Sequence, residues 1–239
     1  MNINYIEHSC FSIELDNVIL LFDYYTGKLP EFNPEKTIYV FSSHKHQDHF
    51  SFSIFKLLKE YPHVRYILSK DIKRKFGAKF FYNQGVDEKV YKEIQFIGSC
   101  DTLETPELLI ETLTSTDEGA AFIVNAEGKT FYHAGDLNLW TWDCDSEGDN
   151  KDMTDRFEIE MAKIKGRHFD AAFLVLDPRQ KDKFCLGFDY FMRVTNTDKA
   201  YPMHFWKDTS VISRLKAMEC SKPYRSKIAD TLEYEKAPV

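Results

Sequence analysis

The chain is poor in the features that mark secreted, membrane-embedded or nucleic-acid-binding proteins. Its 239 residues hold only five cysteines, Cys10, Cys100, Cys144, Cys185 and Cys220. They are dispersed and odd in number, with no C-x-x-C pair. That excludes a zinc knuckle, argues against a disulfide framework and fits free thiols in a reducing compartment. The longest apolar run, Ala171–Leu176, falls far short of the roughly 20 residues a helix needs to cross a bilayer. No basic segment followed by an apolar one opens the sequence, so no secretory leader is expected. Basic residues are in the minority, 31 Lys and Arg against 38 Asp and Glu, for a net charge of −7. Phosphate backbones are bound by clustered cations. The nearest cluster here, Lys70-Asp71-Ile72-Lys73-Arg74-Lys75, reads as the solvated face of a short helix. Nucleic acid is therefore disfavoured as a partner, as is the membrane. No linker, internal repeat or low-complexity stretch divides the chain. One domain over residues 1–239, cytoplasmic and of open oligomeric state, is the expectation.

What is present is histidine, and it is concentrated. Three of the eight histidines and an aspartate fall within His44-Lys45-His46-Gln47-Asp48-His49. The strand-like run Thr37-Ile38-Tyr39-Val40-Phe41 leads directly into them. Alternate side chains of an extended segment point the same way, so His44 and His46 can face one metal ion together. Asp48 and His49 lie where the chain turns towards the helix-like Ser51–Glu60 and can approach a second ion. Imidazole nitrogen and carboxylate oxygen suit zinc or a similar first-row metal. A solvated polar turn would not need three imidazoles and an acid at this spacing.

Around this motif, residues 2–23 alternate as a strand meander ending at Asp23, and Tyr24–Glu35 reads as a loop. Strands are expected at Tyr66–Ser69, Tyr91–Ile97, Leu108–Leu113, Ala121–Val124, Thr130–His133 and Ala171–Leu176. The turn Asn125-Ala126-Glu127-Gly128 joins two of them as a hairpin. Helices are expected at Ser51–Glu60, Asp71–Phe76 (ended by Gly77), Thr154–Lys165, Gly187–Val194 and Val211–Met218. Strand blocks without long helices between them imply antiparallel or mixed sheets with helices outside, an α+β class. Asp143-Cys144-Asp145-Ser146-Glu147-Gly148 mimics an EF-hand opening, but Thr154 stands where the bidentate Glu belongs. It reads as an acidic surface loop. His63 reads as a surface or capping residue and His168 as structural.

The H-x-H-x-D-H pattern resembles that of the metallo-β-lactamase-fold hydrolases. Four further features recur in the family's order: Glu7-His8-Ser9-Cys10-Phe11, Leu20-Leu21-Phe22-Asp23, His133-Ala134-Gly135-Asp136 and Pro202-Met203-His204-Phe205. The resemblance spans His8 to His204. It implies a four-layer αββα sandwich and a metal-dependent hydrolase, with one or two divalent ions, zinc first and manganese or iron as alternatives. It also implies that His44 and His46 hold one ion, that Asp48, His49 and His204 hold another, and that Asp136 bridges them. Asp48 would double as the catalytic group that orients or deprotonates the nucleophile. His8, Asp23 and His133 would be supports behind the ligands. The chain departs from the family in lacking a histidine between the central motif and Gly135-Asp136. Asp117, in Thr114-Ser115-Thr116-Asp117-Glu118-Gly119, stands where that ligand would be. All three tryptophans follow these segments closely, Trp140 and Trp142 after Asp136 and Trp206 after His204, as an aromatic pocket wall. Arg179, in Asp177-Pro178-Arg179, and Lys45 can meet an anionic group. The fold serves many bonds; a small-molecule ester, lactone or phosphoester is the substrate expected. The rival reading is a non-catalytic metal-binding or sensing protein. A flavin-dependent oxygen reductase would need a further domain that 239 residues do not accommodate.

Overall fold

A computed structural model describes residues 1–231 and residue 234. The chain opens as an antiparallel meander, β1 (Asn2–Glu7), β2 (Cys10–Glu14) and β3 (Val18–Phe22). Strands β4 (Thr37–Ser42), β5 (Val64–Ser69) and β6 (Gln95–Ile97) then add in parallel, completing a six-stranded sheet in sequence order. The second sheet holds β7 (Thr102–Glu104), β8 (Leu108–Thr114), β9 (Ala120–Ala126), β10 (Lys129–His133), β11 (His168–Val175) and β12 (Asn196–Met203), also in sequence order. It is antiparallel from β7 to β10 and parallel from β10 to β12. The mixed sheets inferred from the sequence are therefore present.

Side-chain alternation explains the layering. In β3, Val18, Leu20 and Phe22 enter the core between the sheets, while Ile19 and Leu21 face the other way, the period-two division of a strand. Rings fill the inter-sheet space: Phe11 lies 4.5 Å from Phe173, Phe22 4.7 Å from Phe41, and Phe41 5.2 Å from Phe122. The outer face of the first sheet is covered by a 3₁₀ segment, Phe52–Lys59, and by helices α1 (Lys70–Asn83) and α2 (Glu88–Glu93). Helices α3 (Glu147–Lys163), α4 (Leu186–Val194) and α5 (Ser210–Ala217) cover the second sheet, with Phe191 on Tyr132 at 4.6 Å. The result is an αββα sandwich. Among the described residues, no helix is long and apolar enough to cross a membrane.

Several local readings need correction. Tyr91–Ile97 is not one strand: α2 occupies its first half, because the Asp87 side chain accepts from Lys89 N–H and caps a helix there. Helix α3 begins at Glu147 rather than Thr154, since the Ser146 side chain accepts from Asp149 N–H at 3.1 Å. The last two residues of the supposed acidic loop, Glu147 and Gly148, are thus helix. Ser51 caps a 3₁₀ segment, not an α-helix. Gly77, at φ 63° and ψ 164°, interrupts the helix where the sequence reading ended it, and a second helical stretch continues α1 to Asn83. β7 has no counterpart in the sequence reading.

What matters for function is where strands end. Asp23 follows β3, the histidine motif follows β4, Asp136 follows β10, Asp177 follows β11 and His204 follows β12. Backbone bonds clamp these ends together: Asp23 N–H donates to Phe41 O at 2.9 Å and Leu176 N–H to Met203 O at 2.9 Å. His204 N–H donates to His8 O at 3.2 Å, so the β1–β2 turn closes the same edge.

Candidate metal centre

Two groups of potential ligands meet there. His8, Asp48, His49 and His204 form one, and His44, His46, Asp117 and Asp136 the other; in each, one ligand atom per residue lies within 4.8 Å of the rest. Asp136 stands between them. Its Oδ1 is 3.3 Å from His49 Nε2 and 3.4 Å from His204 Nε2, while its Oδ2 is 3.5 Å from His44 Nε2. His8 Nε2 lies 3.4 Å from Asp48 Oδ2, and His46 Nδ1 3.6 Å from Asp117 Oδ2.

The imidazoles are aimed from behind. Asp23 is fully buried and accepts three hydrogen bonds, from Ser43 N–H at 2.7 Å, Ser43 O–H at 2.7 Å and His49 Nδ1 at 2.8 Å. With its proton given to Asp23, Ser43 Oγ is left to accept from His44 Nδ1 at 3.0 Å. His204 Nδ1 donates to Asp177 Oδ2 at 3.0 Å. The network therefore assigns protons to the Nδ1 atoms of His44, His49 and His204 and leaves each Nε2 lone pair facing inward. His133 is held differently. Its Nε2–H donates to Ser9 O at 2.9 Å, its Nδ1 accepts from Gly135 N–H at 3.1 Å, and its ring stacks on Phe22 at 4.8 Å. Both nitrogens are used, so it acts as a prop.

The backbone brings these groups close at a cost. His8, Asp23 and His204 are non-glycine residues at φ 55°, 47° and 64°, conformations found where surrounding structure imposes them. Gly119 and Gly135 are also at positive φ, and a Cβ on either would strike Ser43, at 1.9 Å from its O and 2.6 Å from its Cβ respectively. Glycine there lets the loops after β8 and β10 lie against the histidine motif.

Crowding sets the electrostatics. Burial pushes the His8 imidazole below its ordinary range and His44 well below it. Burial acts the same way on His49, but Asp136 and Asp23 outweigh it and raise that imidazole to about 9, so without a metal its Nε2 carries a proton that a bound ion would displace. Burial and then Asp136 raise the Asp117 carboxyl. Asp48 goes down despite burial, through the His8 imidazole beside it and the nearby His49. Asp177 also goes down despite burial, through His204 and Arg179. Several polar atoms are nonetheless buried with no hydrogen-bond partner: Nε2 of His8, His44 and His49, and Oδ1 of Asp136. Leaving such atoms unpaired is costly, and all four belong to the two neighbouring groups. Nitrogen and oxygen donors so arranged fit divalent metal ions.

Every residue named as a ligand from the sequence is in one of the two groups. The pairing differs in one respect: His8, read as a support, is itself in the group with Asp48, His49 and His204. Asp117 is beside His46, in the group with His44 and Asp136. Asp23 and His133 lie behind the ligands. Trp140 is buried, donating to Asp136 O at 2.9 Å and lying 5.6 Å from His204; Trp142 stacks on it at 6.0 Å. Trp206 is 47% exposed and 4.6 Å from His8. Lys45 turns outward to pair with Glu118. Sequence reasoning missed Asp177, the acid behind His204. The available signal was that it closes the apolar run Ala171–Leu176 just as Asp23 closes Leu20–Phe22.

The αββα sandwich and its edge of paired His/Asp clusters define the metallo-β-lactamase fold. The chain belongs to the beta-lactamase superfamily, whose domain model matches residues 2–143. Solved structures of similar fold include a candidate metal-dependent hydrolase from Parabacteroides distasonis, 18% identical, with a TM-score of 0.63 over 95% of this chain and 91% of that one. Igni18, a metallo hydrolase from Ignicoccus hospitalis, is 17% identical, with a TM-score of 0.60 over 96% and 94%. CmlA, a diiron β-hydroxylase from Streptomyces venezuelae, is 12% identical, with a TM-score of 0.55 over 84% of this chain and 44% of that one. At these identities the likeness is one of fold. No curated protein sequence matches significantly.

Proposed function

We propose that this protein is a hydrolase that uses divalent metal ions, zinc first among them, to cleave an ester, lactone or phosphoester bond in a small molecule. The observation that carries the reading is that partnerless, buried Nε2 and Oδ1 atoms fall within the two adjoining ligand groups. His8, Asp48, His49 and His204 would hold one ion and His44, His46 and Asp117 the other, with Asp136 offering one oxygen to each. Ions in such a site supply an acidified water as nucleophile and polarise the bond to be broken. The chain's own groups do the rest. Asp23, Ser43 and Asp177 keep the imidazoles in the ligating tautomer. Asp48, 28% exposed and held deprotonated, would take a proton from a water at the site. Three carboxylates make the centre richer in oxygen than an all-histidine set, which favours manganese or iron as alternative occupants; the diiron protein of similar fold supports keeping iron among them. Free cysteines support a cytoplasmic setting, and the acidic balance supports a small molecule over nucleic acid.

The test is metal analysis of the purified protein with a panel of ester, lactone and phosphodiester substrates, before and after chelation and zinc reloading. Zinc-restored turnover is expected, and Asp48→Asn should lose far more turnover than metal. Bound metal with no turnover on any class would favour the non-catalytic sensing reading, and absence of bound metal would overturn both.

A further inference from the structure

Arg179 is held in place more firmly than neutralising a carboxylate requires. Its Nε lies 3.0 and 2.9 Å from the two Asp177 oxygens and its Nη2 2.5 Å from Oδ2. The same carboxylate holds His204. Its guanidinium also lies over the Trp206 ring, 4.7 Å from the centroid, and Trp206 Nε1–H donates to Asp177 Oδ2 at 3.3 Å. Trp206 in turn packs against His8 and His204, at 4.6 and 5.7 Å between ring centroids. A guanidinium pinned at its edge and its face has already lost its rotamer freedom, so a further partner binds it at little entropic cost. One edge is open: Nη1 makes no hydrogen bond among the described residues, and the side chain is 51% exposed. The cation interacts with Asp136 and Asp48 as well as with Asp177, so it lies within electrostatic reach of the centre.

We propose that Arg179 binds an anionic group of the substrate, so that the molecule cleaved here also carries a carboxylate or a phosphate apart from the reacting bond. This rests on the hydrolase reading for the identity of that bond. Planar guanidinium edges match both anions through charge-assisted hydrogen bonds. Trp206 and Asp177 are positioning residues for Arg179.

The test compares the zinc-loaded protein with Arg179→Gln and Arg179→Lys, with metal content measured on every preparation. Matched esters ending in a carboxylate, a phosphate or a methyl ester form the first arm. Wild type should show a KM ~10–100-fold lower for an anionic ester than for the neutral one, the worth of one charge-assisted bond. Arg179→Gln should abolish that preference at matched metal content, bringing KM for the anionic esters up to that of the neutral one. The better of the two anions identifies the group. The second arm needs no turnover and measures glutarate against butyrate binding by calorimetry. Wild type should favour glutarate and Arg179→Gln should not. Arg179→Lys keeps a cation beside Asp177 and should keep its metal but lose part of the preference. No preference in wild type, or equal losses on neutral and anionic esters at unchanged metal content, would overturn the proposal; so would an undiminished preference in Arg179→Lys. An Arg179-dependent glutarate preference without hydrolysis of any ester would overturn the hydrolase reading alone.

Discussion

Replacing Asp23 by Asn changes one atom and should disturb the whole centre. The side chain keeps its shape, and Asn tolerates the left-handed backbone at φ 47° as well as Asp does. What changes is proton bookkeeping. Asp23 accepts from Ser43 N–H, Ser43 O–H and His49 Nδ1–H, and an amide has only one oxygen. Its NH₂ must then face Ser43 Oγ and His49 Nδ1, making both acceptors. Ser43 turns its proton to His44, and His44 and His49 each take the tautomer with a proton on Nε2, where a metal should bind. Two charge-assisted bonds are lost, at about 1.5–3 kcal/mol each, partly offset because an amide is cheaper to bury. A net loss of about 2–4 kcal/mol corresponds to a fall in Tm of about 5–15 °C for a chain of this size. Metal affinity should drop ~10–100-fold, as for other changes behind a ligand. Thermal denaturation with chelator and with zinc, together with metal content after reloading, measures both. A variant that retains its metal and melts within about 2 °C of wild type would refute the tautomer argument.

His8 offers a direct check on its place in the group: His8→Ala should lower bound metal while Asp117→Ala affects the other ion, and an unchanged metal stoichiometry in His8→Ala would return it to the role of a support. If Asp117 ligates, the wild type holds two ions, Asp117→Ala loses one with the fold intact, and Asp117→His restores two with a shift towards zinc; two tightly held ions in Asp117→Ala, after chelator dialysis and reloading, would exclude the ligand role. In the metal-free protein, His49 is raised from 6.5 to about 9 by Asp136 and Asp23 against burial. A raised imidazole stabilises fully below pH 6.5 and loses that contribution as pH climbs through 9, so the chelated protein should melt at falling temperature across this window. A flat profile would show that His49 is not protonated.

The spacing of His44, His46, Asp48 and His49 after an apolar strand was legible because it is local: alternation and turn chemistry act over a few residues. The strands closing at Asp23, Asp136 and His204 were legible for the same reason. Local signals also misled where a cap outweighed periodicity, as Asp87 did for α2 and Ser146 for α3. The pairing of distant groups was decided only by the tertiary structure. That His8 stands with Asp48, that Asp177 backs His204 and pins Arg179, and that the two oxygens of Asp136 face different groups all depend on backbone bonds between strand ends and on glycines admitting loops to contact. Sequence order carries no record of such distances. It determined which chemistry each strand end would bear, and sheet packing determined which of those ends share a site.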